Sequence, residues 1–182
     1  MTSTGFHVRP LGPQDATAFQ AFRLRALREA PEAFGSTYDE EVDLPLEAVA
    51  GLLAPADGPP QVVLGAFADD VSAGDALVGI VVCHREHRTK ARHKATVGGM
   101  FVAPDARGRG IGRALLERVI EEARGWPGVE KLTLTVVERA TAARALYRAA
   151  GFRPYGLEPD SLRQDGARDT VEYLALDLAE TR

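Results

Sequence analysis

Val97-Gly98-Gly99-Met100-Phe101-Val102-Ala103-Pro104-Asp105-Ala106-Arg107-Gly108-Arg109-Gly110-Ile111-Gly112-Arg113-Ala114-Leu115-Leu116 decides the reading of this chain. An apolar strand runs into a turn opened by Pro104-Asp105, then a glycine-rich loop, then an amphipathic helix. Gly108, Gly110 and Gly112 carry no side chains where backbone N–H groups can close around an anion. The helix that follows aims its partial positive end at the same spot. Arg107, Arg109 and Arg113 add full charges, so the segment reads as a cradle for phosphate or pyrophosphate.

Spacing separates the kinds of cradle. A Walker A loop needs a Lys-Ser/Thr pair after its last glycine, and Arg113-Ala114 stands there instead. A dinucleotide fingerprint needs Gly-x-Gly-x-x-Gly and an acidic residue about 20 residues on. Here the glycines run Gly-x-Gly-x-Gly, and Glu138 comes too late for that role. Beyond the loop, Lys131-Leu132-Thr133-Leu134-Thr135-Val136-Val137 alternates as a strand does. Ala140 to Ala150 is a run of good helix formers, which Gly151 would end in a left-handed C′ conformation before Phe152.

Arg107-Gly108-Arg109-Gly110-Ile111-Gly112 resembles the Arg/Gln-x-x-Gly-x-Gly/Ala loop with which the GNAT superfamily of N-acetyltransferases holds acetyl-CoA. Ala143-x-x-Leu146-Tyr147-x-x-x-Gly151-Phe152 is similar to that family's closing motif, Asn-x-x-Ala-x-x-Leu-Tyr-x-x-x-Gly-Phe. The order of loop, helix, strand, helix and final strand (Thr170 to Leu178) also matches. One position departs: the family's Asn falls at Ala140, which cannot hydrogen-bond a pantetheine arm or order the strand end. Glu138, Arg139 or Thr141 are the nearby substitutes.

The resemblance implies an α/β (α+β) fold. Its mixed, mostly antiparallel central sheet has about six to seven strands flanked by about four helices. Two parallel strands, Ala95–Val102 and Lys131–Val137, splay apart with acetyl-CoA in the gap. The short connections through the first four strands and the long crossover through the 110–124 helix predict the same pairing senses. Upstream, Phe6–Arg9 reads as a first strand, and Asp15 as the N-cap of a helix running to about Ala30. A second helix is predicted over Pro45–Leu53. Gln61–Ala68 and Ala76–Cys83 form a hairpin across the turn-rich Asp69–Asp75.

Composition sets the bounds. The chain has 182 residues, 45% hydrophobic and 26% charged, which suits one soluble globular domain over 1–182. A net charge of −4 argues against a nucleic-acid partner. The single cysteine, Cys83, lies in an apolar run and excludes an intrachain disulfide. No basic-then-apolar leader and no apolar run near 18 residues is present, so no membrane partner is expected and the default location is cytoplasmic.

Acetyl transfer needs a deprotonated amine, donors for a developing oxyanion and a proton for the departing thiolate. A thiol titrates near 8.5 and a tyrosine near 10, so a tyrosine can serve as the acid. Tyr147 stands at the family position for it. The resemblance gives the oxyanion donor to a backbone N–H around Phe101 and Val102. The cofactor-binding set is then Phe101, Val102, Arg107, Gly108, Arg109, Gly110, Ile111, Gly112 and Arg113.

Many relatives carry a carboxylate on the first splayed strand, but Thr96-Val97-Gly98-Gly99-Met100 has none. Glu40, Glu41 and Glu138 are candidates to act through water, and no residue is singled out as the base. Phe34, Tyr38 and Glu41 fall in the segment that shapes the acceptor site in the family. Trp126 reads as packing. His84 to Lys94 holds three histidines among cations and no compact carboxylate or thiol set, so it reads as a solvated connection rather than a metal site. No metal is expected. The acceptor is a small-molecule amine or a protein amino group, and homodimers are common in the family. A second class stays open: a module that binds acyl-CoA and senses it without turnover, which steady release of CoA would exclude.

Overall fold

The computed structural model describes residues 5–55, 58–69, 76–164 and 166–179. Its seven strands are β1 (Phe6–Pro10), β2 (Gln61–Ala68), β3 (Ala76–Arg85), β4 (Lys94–Val102), β5 (Lys131–Val137), β6 (Arg153–Gln164) and β7 (Ala167–Asp177). The helices are α1 (Ala16–Glu29), α2 (Tyr38–Glu41), α3 (Leu46–Leu53), α4 (Ile111–Arg124) and α5 (Thr141–Ala149). The sheet order is β1-β2-β3-β4-β5-β7-β6, and every neighbouring pair is antiparallel except β4 with β5.

Side chains alternate across a strand, and each face of this sheet is covered by a helix. Gly79 faces α4: a Cβ there would stand 3.0 Å from Leu115 and 3.2 Å from Ile111. Ile80 and its cross-strand partner Phe101 face the other way, where Phe22 of α1 packs 5.6 Å from the Phe101 ring. The amphipathic α4 buries Ile111, Leu115, Leu116, Val119, Ile120 and Ala123. In α1, Phe19, Phe22 and Leu27 are buried as the apolar pattern required, with Leu24 partly so. Trp126 is also partly buried against the core, and Cys83 is fully buried.

One local expectation is corrected, and two segments gain elements that the sequence did not assign. Asp15 does not cap α1 with its side chain. Its carboxylate accepts instead from Arg9 Nη1 and Nη2 (2.9 and 2.8 Å) and from the Gly12 N–H (2.9 Å), because a 3-10 turn at Pro13–Asp15 precedes the helix. The acidic stretch Asp39-Glu40-Glu41 closes into the one-turn helix α2, where Glu40 accepts from the Thr37 N–H at 2.7 Å. The segment after Phe152, given no element by the sequence, forms the twelve-residue β6. The expected hairpin turn lies almost wholly outside the described residues.

Candidate active site

The cleft begins where a pairing ends. β4 and β5 are in register only from Lys94/Lys131 to Thr96/Thr133, where the two threonine hydroxyls approach to 3.2 Å. Beyond that fork the strands part. On its other edge β4 carries an extra residue against β3, between the Gly98–Val82 and Phe101–Ile80 pairs. Gly99 takes the left-handed conformation there, φ +59°. A bulge of this kind bends the strand and re-aims its side chains. Met100 is turned into the cleft, and Phe101 into the core between Phe22 and Phe34 (5.6 and 6.3 Å). What Phe101 can offer the cleft is therefore its backbone.

The glycine loop has the geometry of an anion cradle. Gly108 and Gly110 sit at φ +76° and +83°, and a Cβ on either would meet nothing within 4 Å. Gly110 is the N-cap of α4 and brings no side-chain cap, so the first N–H groups of the helix face that open space without one. Arg107 is tied back by donating from Nε to the Val102 carbonyl (3.0 Å). Arg113 pairs with Glu117 one turn on (2.7 Å). A cavity of about 600 Å³ runs along this loop, lined by every expected cofactor residue except Arg109.

A second cavity, of about 250 Å³, lies on the other side of the splay, against Val97–Met100 and Thr135–Val137. The two share Glu32, Ala33, Met100, Ala140, Ala143 and Tyr147. At this junction the Tyr147 hydroxyl donates to a sulfur, Met100 Sδ, at 3.6 Å. Burial pushes the phenol up to about 12, so it holds its proton at any physiological pH.

Tyr147 is placed by the end of its own helix. Gly151, at φ +96°, donates to the Arg148 carbonyl (3.0 Å), and Phe152 N–H to the Tyr147 carbonyl (3.1 Å). This is a Schellman cap, whose usual apolar contact joins the residue after the cap glycine to the one five positions earlier. Here that contact is the Phe152 ring edge against Tyr147, 6.1 Å between centroids. The other side of α5 is held by the buried Glu172 of β7, which accepts from Arg144 Nε and Arg148 Nη2, both at 2.8 Å. Those bonds, Arg144 first, keep the Glu172 carboxyl below its ordinary range. Arg144 also donates to the Glu138 carbonyl at 3.0 Å. The strand end that Ala140 cannot order is thus tied by Arg144, and also by Arg139, which donates to Asp169 of β7 at 2.8 Å.

Phe34, one of the expected substrate residues, lines the smaller cavity, and Arg23 stacks over its ring at 4.3 Å. Tyr38 and Glu41 line neither cavity. Tyr38 lies under Arg28 (3.9 Å), and Glu41 accepts from Arg23 Nε and Nη2 at 2.9 and 2.7 Å. That pairing holds the Glu41 carboxyl low. Glu40 serves α2, and Glu138 lines neither cavity, so none of the three candidate bases reaches the junction directly.

Residues 24–152 match the model of the acetyltransferase (GNAT) family. The chain belongs to that family. A GNAT acetyltransferase structure from Streptococcus pneumoniae superposes with a TM-score of 0.83 at 26% identity, covering 95% of this chain and 99% of that one. The fold is shared at 21% identity with yncA from Salmonella typhimurium, a structure holding its cofactor acetyl-CoA (TM-score 0.73; 96% and 94% covered). The N-alpha-acetyltransferase RimI of Mycobacterium tuberculosis is 40% identical over 95 residues, 52% of this chain. That match spans little more than half of the mycobacterial protein, 57% of its length.

Two charged residues that line the smaller cavity were not singled out by the sequence of this GNAT protein. Arg23 sits in Phe22-Arg23-Leu24 like any solvated residue on the polar side of a helix. Its partner Glu41 is too far along the chain for a spacing rule to pair them. Glu32, at the junction, follows a proline in an unremarkable turn. Among the described residues it is the sole carboxylate lining the smaller cavity. No group of three or more metal-ligating side chains occurs among the described residues, and none of their helices is long and apolar enough to cross a membrane.

Proposed function

We propose that this GNAT protein is a cytoplasmic N-acetyltransferase that moves the acetyl group of acetyl-CoA to a primary amine, by direct attack while both are bound. The observation that carries the reading is the junction of the two cavities at Tyr147, with its hydroxyl already aimed at a sulfur. The left-handed, open Gly108 and Gly110 and the helix start without a side-chain cap fit a pyrophosphate, and Arg107 and Arg113 flank it. Acetyl-CoA, when bound, supplies an acetyl thioester whose sulfur must leave as a thiol. Tyr147 holds the proton and donates it toward that sulfur. Backbone N–H groups near Phe101 and Val102 are the donors for charge on the acetyl oxygen. Glu32 draws an ammonium to the junction, where it loses one proton to water before its nitrogen bonds the acetyl carbon. As the carbon–sulfur bond breaks, the nitrogen sheds its second proton, which restores the one Tyr147 gives to the sulfur, so one proton is released per turnover.

The sensor reading draws on the missing carboxylate of β4. One experiment addresses both. Acetyl-CoA is titrated calorimetrically into the protein and its Gly110→Glu variant, and an amine panel is then followed by thiol release. Micromolar binding abolished by the variant, with steady CoA release, is expected. Binding without release on any amine leaves the sensor, and no binding by folded protein removes the acetyl-CoA site.

A further inference from the structure

Resting on the acetyltransferase reading, we propose that Arg23 reads a neutral carbonyl oxygen beside the acceptor's amine. The acceptor is then an α-amino amide, either an amino-acid amide or the amino end of a peptide, and not a free amino acid or a plain amine. Arg23 is fixed on three sides. Nε and Nη2 are committed to the two oxygens of Glu41, the guanidinium lies on the Phe34 ring, and its side chain is only 16% exposed. Nη1 has no hydrogen bond to another described residue. It lies 3.7 Å from where a Cβ on Gly99 would stand, on the wall of the acceptor cavity next to Met100. A bulge that leaves Gly98 and Gly99 without side chains keeps that donor reachable.

Charge selects what the donor takes. Arg23 is matched by Glu41, and Arg139 by Asp169 at 2.7 Å, while Glu32 has no ion pair or hydrogen bond with another described residue. The lining of the smaller cavity is therefore left with the single negative charge of Glu32, within electrostatic reach of Arg139. It attracts an ammonium and resists a second carboxylate beside Glu41. A donor whose charge is already balanced suits a neutral carbonyl. In an α-amino amide that oxygen sits one rotatable bond from the carbon bearing the amine. An amine at the Met100–Tyr147 junction therefore brings the oxygen to the neighbouring Gly99.

Initial rates of thiol release would be compared for alaninamide, an alanyl tripeptide amide, free alanine and sec-butylamine, which keeps the alaninamide skeleton without the carbonyl. Wild type should favour alaninamide over alanine at least tenfold in kcat/KM. Arg23→Gln should lower alaninamide tenfold or more while sec-butylamine stays within threefold, a ratio in which amine basicity cancels. Glu41→Gln, which leaves the Arg23 charge unmatched, should raise alanine tenfold relative to alaninamide, a gain that misfolding cannot mimic. A lower KM for the tripeptide than for alaninamide would make a chain terminus the source, and equal values a small amide. Alanine used as well as alaninamide, or a preference surviving Arg23→Gln, overturns the assignment. Binding of acetyl-CoA with no amine consumed, sec-butylamine included, overturns acetyl transfer itself and the inference with it.

Discussion

Replacing Gly110 by alanine separates two roles that one backbone angle serves. At φ +83° an L side chain costs about 1–2 kcal/mol. No atom stands within 4 Å of the new Cβ, so no steric term adds to it. For a chain of this size each kcal/mol moves the thermal midpoint about 2–4 °C, which places the expected loss at about 2–8 °C. Gly108→Ala, at φ +76° and equally open, should lose a similar amount. Asparagine tolerates left-handed backbone better, so Gly110→Asn should melt above Gly110→Ala. Affinity should follow another order. Strain is present with and without ligand and cancels, so any loss in acetyl-CoA affinity reports a side chain occupying the anion's space. That loss should reach tenfold for alanine, about 1.4 kcal/mol, and more for asparagine. Calorimetric melts and acetyl-CoA titrations on the same three proteins give both orders. A Gly110→Ala midpoint within 1 °C of wild type, or an asparagine variant that is less stable yet binds better, would refute the reasoning.

Further outcomes follow from the same geometry. Tyr147→Phe should cut kcat at least tenfold with acetyl-CoA affinity within threefold, read by stopped-flow thiol release and calorimetry; unchanged kcat would remove the acid from Tyr147. Glu172 and Glu41 are held below the ordinary carboxylate range when folded, chiefly by hydrogen bonds from Arg144 and Arg23. Their contribution is thus fully present above about pH 5 and lost as pH falls through the folded values. Glu172→Gln should flatten the fall in thermal midpoint between pH 6 and pH 3, and a parallel curve would show that the carboxylate is not what titrates. Cys83 is fully buried, its thiol pushed up to about 12, so alkylation at pH 8 should be negligible until urea unfolds the chain. Labelling of native protein at the unfolded rate would contradict that burial.

The parts of the site legible in the sequence are those built from local backbone geometry. Glycines at left-handed positions, a helix start and a glycine–phenylalanine helix end all act within a few residues, so their spacing reports them. α4 and β5 were equally plain, because each buries a face with the period of its element. β6 was not. Pro154, Gly156 and Pro159 interrupt it, and Tyr155 and Leu157 are exposed (62% and 60%), since it lies at the edge of the sheet and pairs only with β7. No buried face wrote an alternating pattern into it. The pairings of Arg23 with Glu41 and of Glu172 with Arg144 escaped for another reason. They join side chains brought together by chain folding, and polar residues carry no periodic mark of their distant partners. The expected substrate residues Tyr38 and Glu41 stand behind Arg23 and Phe34, which line the smaller cavity in their place.

Strand order also says something about how the protein comes into being. β7, the latest of the described strands to leave the ribosome, is inserted between β5 and β6. Until it arrives, β5 has a bare edge and α5 lacks the Glu172 anchor that steadies the helix bearing Tyr147. The glycine loop, β4 and α4 can all assemble earlier, during synthesis. A nascent chain would therefore complete its glycine loop and the start of α4 before Tyr147 is locked in place, and a fragment ending before β7 would be expected to hold the one without the other.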